Sequence, residues 1–173
     1  CDYNQTKAAT IAVADYQGPV YLRFGRPSVP NFTPADQTFE IGKAIRMIEG
    51  TDVTLFATGH LVWESILAAQ ELEKKGISAE VIDLHTIKPL DKITVLQSVQ
   101  KTKAVVVAEE HLIAGGLGEL ICGTLSREYP VPVELVAVND EFGQSGTPEE
   151  LMKKYGLDAI SIVEAVNRVL KRK

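Results

Sequence analysis

The chain has 173 residues, 45% of them hydrophobic, and its 18 basic and 23 acidic residues give a formal net charge of −5. Because this length and apolar content can fill one core with a small appendage, a disordered chain is excluded. The sequence has no block of Lys or Arg and no run of 18 apolar residues, so nothing in it suggests nucleic-acid binding or membrane insertion. Two cysteines, Cys1 and Cys122, form neither a disulfide framework nor a metal-ligand spacing, which favours a cytoplasmic location.

The first 35 residues predict structural elements that cannot form a core by themselves. Residues 4–16 fit a helix and residues 20–25 fit a strand, whereas three prolines between positions 27 and 34 prevent regular structure afterwards. One helix and one strand bury too little apolar surface to be stable alone. We therefore interpret residues 1–26 as the end of a preceding domain and residues 27–35 as a linker.

From residue 36 onward, strand-like and helix-like segments alternate. Strand-length runs rich in β-branched residues lie at 53–57, 79–84, 104–108 and 133–138. Amphipathic stretches with helix start and stop signals predict helices at 61–75, 91–100, 117–128, 147–155 and 159–170. This alternation is typical of a mostly parallel sheet with helices on both faces. We predict a three-layer α/β/α domain over residues 36–173.

A fifth strand is predicted within residues 39–48, before the turn at Glu49-Gly50. Antiparallel pairing with the next strand along the chain, at residues 53–57, gives the shortest connection. The expected sheet is therefore five-stranded and mostly parallel.

Few polar residues have a spacing that points to chemistry by itself. The glycine cluster at 115–118 follows a strand and opens a helix, where backbone N–H groups can bind an anion with His111 nearby. It lacks the Lys-Ser/Thr pair of a P-loop, so close packing of the helix on the sheet explains these glycines better. No zinc site is predicted, since no cysteine or paired carboxylate accompanies the three histidines, His60, His85 and His111. Nothing places Glu109 or Glu110 beside a nucleophile.

Several groups of residues resemble landmarks of the transketolase family, in the family's order and across essentially the entire chain. The run from Cys1-Asp2-Tyr3-Asn4-Gln5 through Gly18 to Pro27 resembles the last helix and strand of the pyrimidine-binding domain. Segments similar to landmarks of the transketolase C-terminal domain are Gly50-Thr51-Asp52-Val53, Ala57-Thr58-Gly59, Ile87-Lys88-Pro89-Leu90-Asp91, Glu109-Glu110-His111, Gly115-Gly116-Leu117-Gly118 and Phe142-Gly143-Gln144-Ser145-Gly146. The Glu-Glu-His and glycine stretch is shared with deoxyxylulose phosphate synthases and with beta subunits of 2-oxo acid dehydrogenases. The Phe-Gly-x-Ser-Gly stretch favours transketolase.

The resemblance implies a role for Arg26. At the matching position, transketolases have an arginine that contributes to the pocket for the phosphate of the sugar substrate, and a guanidinium can bind a phosphate through two parallel hydrogen bonds. Arg23 faces the opposite side of the predicted strand, and many transketolases lack it. We expect Arg23 to form a salt bridge to a neighbouring domain, with a place in the site as the alternative. His60 departs from the small polar residue common at its position and is left without a role.

The resemblance also implies that the catalytic machinery lies outside this chain. Transketolases use thiamine diphosphate and Mg²⁺, and their cofactor site, pyrimidine-binding glutamate and catalytic histidines all match positions upstream of Cys1. We expect the parent protein, a cytoplasmic homodimer, to transfer a two-carbon ketol unit between phosphorylated sugars. The chain as given is expected to bind no cofactor or metal, to have no catalytic residue and to be inactive alone.

Other interpretations stay open at this point. The cofactor domains could precede Cys1 in one polypeptide or belong to a separate N-terminal subunit. The chain could also be the C-terminal domain of a deoxyxylulose phosphate synthase or of a 2-oxo acid dehydrogenase beta subunit. A free-standing, non-catalytic assembly module that braces a dimer is the alternative from a different class.

Overall fold

The computed structural model describes all of residues 1–173. In chain order its elements are α1 (Tyr3–Ala14), β1 (Ile45–Ile48), β2 (Val53–Ala57), α2 (Leu61–Glu73), β3 (Ala79–Asp83), α3 (Lys92–Thr102), β4 (Val105–Leu112), α4 (Leu117–Glu128), β5 (Val133–Val138), α5 (Pro148–Lys154) and α6 (Ala159–Leu170). No helix among them combines the length and the apolar character needed to cross a bilayer.

The five strands form one sheet in the order β1-β3-β2-β4-β5. Strands β2, β3, β4 and β5 are parallel, and β1 is antiparallel to its neighbour, which confirms the predicted five-stranded, mostly parallel sheet. The expected pairing of β1 with β2 is wrong, since β1 pairs with β3 instead. The reason is that β2 lies in the centre of the sheet with β3 and β4 hydrogen-bonded to its two sides, so β2 has no free side and β1 pairs with the outer side of β3.

Alternation along the buried strands supplies a core on each face of the sheet. Leu55 of β2 packs in the cluster under α2 and α6, whereas the adjacent Phe56 packs in the cluster under α3 and α4. Both side chains are completely buried. The predicted three-layer arrangement is therefore present, and each face of the central strands buries apolar surface against a pair of helices.

The segment before the sheet differs from the expectation in one element. Helix α1 forms as predicted, and Asp2 at its start joins it to the chain that follows by accepting hydrogen bonds from Phe32 N at 2.9 Å and Thr33 N at 2.8 Å. The strand predicted over residues 20–25 is not formed, and that prediction is wrong for this structure. These residues have no neighbouring strand to pair with, and Tyr21 and Phe24 are exposed.

Candidate functional site

The segment that carries the two candidate arginines lies at the carboxyl edge of β2 and β4, beside residues to which the sequence gave no role. β2 ends at Ala57 and leads through Gly59 to His60, while β4 ends in the run that contains Glu109 and Glu110. The segment that carries Arg23 and Arg26 lies against this edge through contacts with His60 and Glu110. Open α/β sheets bind their ligands outside the carboxyl ends of the strands, so this edge is the candidate site.

His60 is held beside Glu110 at the start of α2. The left-handed conformation of Gly59, with φ of 58°, turns the chain out of β2, and the carbonyl of His60 accepts a hydrogen bond from Trp63 N at 3.1 Å. The imidazole Nδ1 lies 3.3 Å from Glu110 Oε2. The His60 side chain is 18% exposed and that of Glu110 is 48% exposed, so the pair lies at the boundary between the sheet edge and solvent.

Two contacts join the arginine segment to this pair. A methyl group added at Gly25 would lie 2.4 Å from Nε2 of His60, which means that the backbone of Gly25 directly contacts the imidazole. The Arg23 guanidinium donates a hydrogen bond to the backbone carbonyl of Glu110 at 3.4 Å. The sequence did not predict that His60 and Glu110 contact this segment, because both contacts join residues that are far apart in the chain.

Arg26 itself is exposed and takes part in none of the salt bridges of the chain. Its guanidinium is therefore available to an anionic group outside the chain. This geometry suits a substrate-binding role. Arg23, by contrast, donates a hydrogen bond to the backbone carbonyl of Glu110, and it forms no salt bridge within the chain.

The backbone at the glycine cluster, residues 115–118, binds the carboxylate of a residue from the same chain, Glu109. Glu109 is only 4% exposed, and it accepts hydrogen bonds at 2.7 Å from the backbone N–H groups of Leu117 and Gly118, in the first turn of α4. A methyl group at Gly116 would lie 2.5 Å from the Glu109 carboxylate, and one at Gly118 would lie 2.9 Å from Leu135 of β5. Close packing is therefore confirmed as the reason for these two glycines.

What the sequence reasoning missed is that Glu109 occupies the anion-binding position at the start of α4. The available signal was an acidic residue at the end of the preceding strand, eight positions before the helix. His111 does not join this turn, since it is exposed and its Nδ1 lies 2.9 Å from the carbonyl of Leu112.

Thiamine diphosphate and Mg²⁺ do not fit the residues of this chain. The helix N-terminus that could bind a diphosphate already holds the Glu109 carboxylate, which would repel one. The chain also contains no group of three or more His, Cys, Asp or Glu side chains placed to hold a metal ion.

A second polar cluster lies at the end of β3, beneath α1. Asp83 is fully buried, its Oδ2 accepts a hydrogen bond from Gln5, and its Oδ1 has no partner. Burial raises the pKa of Asp83 to about 6, although the hydrogen bond from Gln5 opposes the rise. Burial also lowers the pKa of His85 to about 4, and the His85 ring packs against Phe39 in a tilted arrangement with 4.1 Å between ring centres. This cluster joins α1 to the sheet.

The sequence of the chain is similar to those of curated transketolase subunits. The SqwH subunit of a 6-deoxy-6-sulfo-D-fructose transketolase from Clostridium sp. (strain MSTE9) is 43% identical over 172 residues, which are 99% of this chain and 53% of the relative. One subunit of an apulose-4-phosphate transketolase from Phocaeicola vulgatus is 37% identical over 173 residues, 99% of this chain and 55% of the relative. The chain thus spans about half the length of these relatives.

Solved structures and a family model agree with this result. A protein described as a split gene transketolase, inactive beta4 tetramer, superposes with a TM-score of 0.97 at 44% identity, over all of this chain and 57% of that one. A transketolase mutant from Pichia stipitis, 18% identical with a TM-score of 0.56 over 75% of this chain and 18% of that one, supports the fold alone. The family model described as "Transketolase, C-terminal domain" matches residues 42–162. The chain therefore belongs to the transketolase C-terminal domain family.

Proposed function

We propose that this chain is the C-terminal portion of a transketolase whose thiamine diphosphate and Mg²⁺ are bound by other domains, in the same polypeptide or in a separate subunit. The parent enzyme transfers a two-carbon ketol unit from a ketose donor to an aldose acceptor. Two relatives that match nearly all of the chain are named as transketolase subunits, which supports a divided enzyme. In that enzyme the chain supplies domain and dimer contacts and one substrate-binding arginine.

The exposed apolar surface of the first 26 residues supports the proposal that another domain packs against this segment. This segment carries six of the large hydrophobic side chains that solvent reaches, with exposed fractions of 46% to 88%: Tyr3, Ile11, Tyr16, Val20, Tyr21 and Phe24. A concentration of this kind marks a surface that another protein domain covers. It supports the interpretation of residues 1–26 as the end of the pyrimidine-binding domain, residues 27–35 as the linker and residues 36–173 as the C-terminal domain. We also propose a homodimeric, cytoplasmic parent enzyme, for which the two free cysteines fit a reducing compartment.

The observation that carries the substrate proposal is that Arg26 is exposed and forms no salt bridge, while the residue before it, Gly25, contacts His60 at the carboxyl edge of the sheet. One relative is named for a sugar phosphate and the other for a sugar that bears a sulfonate. Both groups are anionic and present several oxygen acceptors, which an arginine binds through parallel hydrogen bonds. We assign Arg26 to the terminal anionic group of the donor sugar, with a phosphate as the first choice. Arg23 supports the segment, with direct substrate contact as its alternative role.

The test compares Arg26→Ala and Arg26→Lys in the complete enzyme, with the cofactor domains present. The loss of charged hydrogen bonds worth about 1.5–3 kcal/mol predicts a KM for xylulose 5-phosphate that is roughly 10 to 100 times higher in Arg26→Ala. The KM for xylulose, which lacks the phosphate, is expected to stay unchanged. Arg127→Ala, which removes an exposed arginine from α4, is the matched control. An unchanged KM for the phosphorylated sugar in Arg26→Ala would refute the assignment.

The other enzyme classes predict different reactions. A deoxyxylulose phosphate synthase uses pyruvate as the donor, so product analysis of the complete protein with pyruvate or xylulose 5-phosphate separates it from a transketolase. A 2-oxo acid dehydrogenase beta subunit would support oxidation of the keto acid and no ketol transfer. If the coding sequence upstream of Cys1 contained only a nearby start codon, and no separate subunit supplied the cofactor domains, a non-catalytic assembly module would replace the enzyme proposal.

A further inference from the structure

We propose that His60 is a positioning residue for Arg26. Its imidazole, held by Glu110, supports the backbone at Gly25 and thereby sets the point from which the next residue, Arg26, reaches the anionic group of the substrate. This inference rests on the proposed role of Arg26.

The arginine segment has almost no other attachment to the domain. From residue 17 to residue 30, the one hydrogen bond that the chain forms is that of the Arg23 guanidinium to the carbonyl of Glu110, and its length of 3.4 Å makes it weak. The segment pairs with no strand, and the side chains of Tyr21 and Phe24 are exposed. Its position therefore depends on packing, and His60 supplies a packing contact directly before Arg26.

His60 is itself fixed strongly enough to act as a support. Its backbone belongs to the first turn of α2, where Trp63 N donates a hydrogen bond to its carbonyl. Its Nδ1 lies 3.3 Å from the carboxylate of Glu110, and the opposite ring nitrogen, Nε2, borders Gly25. Because the added methyl group at Gly25 would lie only 2.4 Å from that nitrogen, any larger residue would push the imidazole and the segment apart.

Glu110 connects the two attachments of the segment. Its carboxylate lies beside His60, and its carbonyl accepts the hydrogen bond from Arg23. Both contacts are made by residues that lie within three positions of Arg26 in the sequence. In an enzyme site, a shift of about 1 Å in a binding group can reduce the rate by roughly 100-fold, so support of this kind has a measurable effect.

The experiment measures kcat and KM of the complete enzyme for xylulose 5-phosphate and for xylulose. His60→Ala and Gly25→Ala are each expected to raise the KM for xylulose 5-phosphate about 10-fold, with kcat within 2-fold and the KM for xylulose unchanged. His60→Gln, whose amide nitrogen can occupy the place of Nδ1 beside the Glu110 carboxylate, is expected to recover part of the loss. His111→Ala removes an exposed histidine from the same edge of the sheet and serves as the matched control.

A double mutant shows whether His60 acts through Arg26. In an Arg26→Ala background, His60→Ala is expected to change the KM for xylulose 5-phosphate by less than 2-fold, since the group that it positions is absent. An equal effect with and without Arg26, or an equal effect on both sugars, would overturn the positioning role. If His60→Ala does not fold, Gly25→Ala decides by the same criteria, because it leaves every side chain of the core in place.

Failure of the two proposals can be told apart. If Arg26→Ala leaves the KM for xylulose 5-phosphate unchanged, the substrate role of Arg26 is wrong and the positioning role falls with it. If Arg26→Ala raises this KM but His60→Ala and Gly25→Ala do not, only the positioning role is overturned.

Discussion

Replacement of Glu109 by alanine tests whether this carboxylate, rather than an external anion, completes the first turn of α4. Glu109 is nearly buried and accepts hydrogen bonds at 2.7 Å from Leu117 N and Gly118 N, while the N-cap residue, Gly116, has no side chain to cap the helix. Removal of a helix cap costs about 0.5–2 kcal/mol. Counted instead per buried N–H group left without a partner, the same loss is about 1–3 kcal/mol for each of the two groups, or about 2–6 kcal/mol together.

We therefore expect Glu109→Ala to lower the free energy of unfolding of the chain by about 3 to 5 kcal/mol. With a urea dependence of about 2 kcal/mol per molar, this corresponds to an unfolding midpoint roughly 2 M lower. Glu109→Gln is expected to cost less, because the amide keeps one acceptor oxygen but loses the charge that favours a helix N-terminus.

The measurement is urea unfolding at pH 7, followed by far-ultraviolet circular dichroism. Glu119→Gln is the matched control, since Glu119 is also acidic and near the start of α4 but accepts a hydrogen bond from Gly115 N at the exposed surface. It is expected to change the free energy of unfolding by less than about 0.5 kcal/mol. If Glu109→Ala lost less than about 1 kcal/mol, the N–H groups of α4 would have to be satisfied by something other than Glu109, and the assignment would be wrong.

Two further predictions concern cofactor binding and pH. Calorimetric titration of the isolated chain with thiamine diphosphate and Mg²⁺ is expected to show no binding, and micromolar affinity would contradict the view that other domains build the cofactor site. Burial raises the pKa of Asp83 from 3.8 to about 6, so ionisation of this carboxyl group destabilises the folded chain as pH rises from 4 to 7. Asp83→Asn removes the ionisation. Its free energy of unfolding is therefore expected to rise by about 2 to 3 kcal/mol, relative to that of the unmodified chain, over the same pH range. Urea midpoints that differ by a constant amount across this pH range would count against the buried ionisation.

The elements with local signals were predictable nearly to the residue. Strands β2 and β5 and helix α4 begin and end at the predicted positions, because strand-length apolar runs and helical periodicity are set within each segment. The predicted helix at 147–155 also forms, as α5, and it begins with a capping box in which Thr147 accepts from Glu150 N and the Glu150 carboxylate accepts from Thr147 N. Such features depend on a few adjacent residues.

Features that depend on distant parts of the chain were not predictable in the same way. The partner of β1 is decided by which edge of the sheet remains free after β2 acquires its two neighbours. The segment at residues 20–25 has a strand-like sequence, but a strand also needs a partner, and this chain offers none there. The contact of His60 with Gly25 likewise depends on how the segment crosses the sheet edge, which no local pattern encodes.

The two adjacent acidic residues at the end of β4, Glu109 and Glu110, have different roles in the structure. Alternation along the strand buries Glu109 and leaves Glu110 partly exposed, so one carboxylate completes α4 while the other contacts His60. The Glu-Glu-His and glycine stretch therefore specifies how α4 joins the sheet, a need that any enzyme with this domain shares whatever its reaction. Since that stretch resembles several classes of thiamine enzyme, its resemblance indicates the fold. The choice of substrate is, in our proposal, made at Arg26, which is exposed and forms no salt bridge.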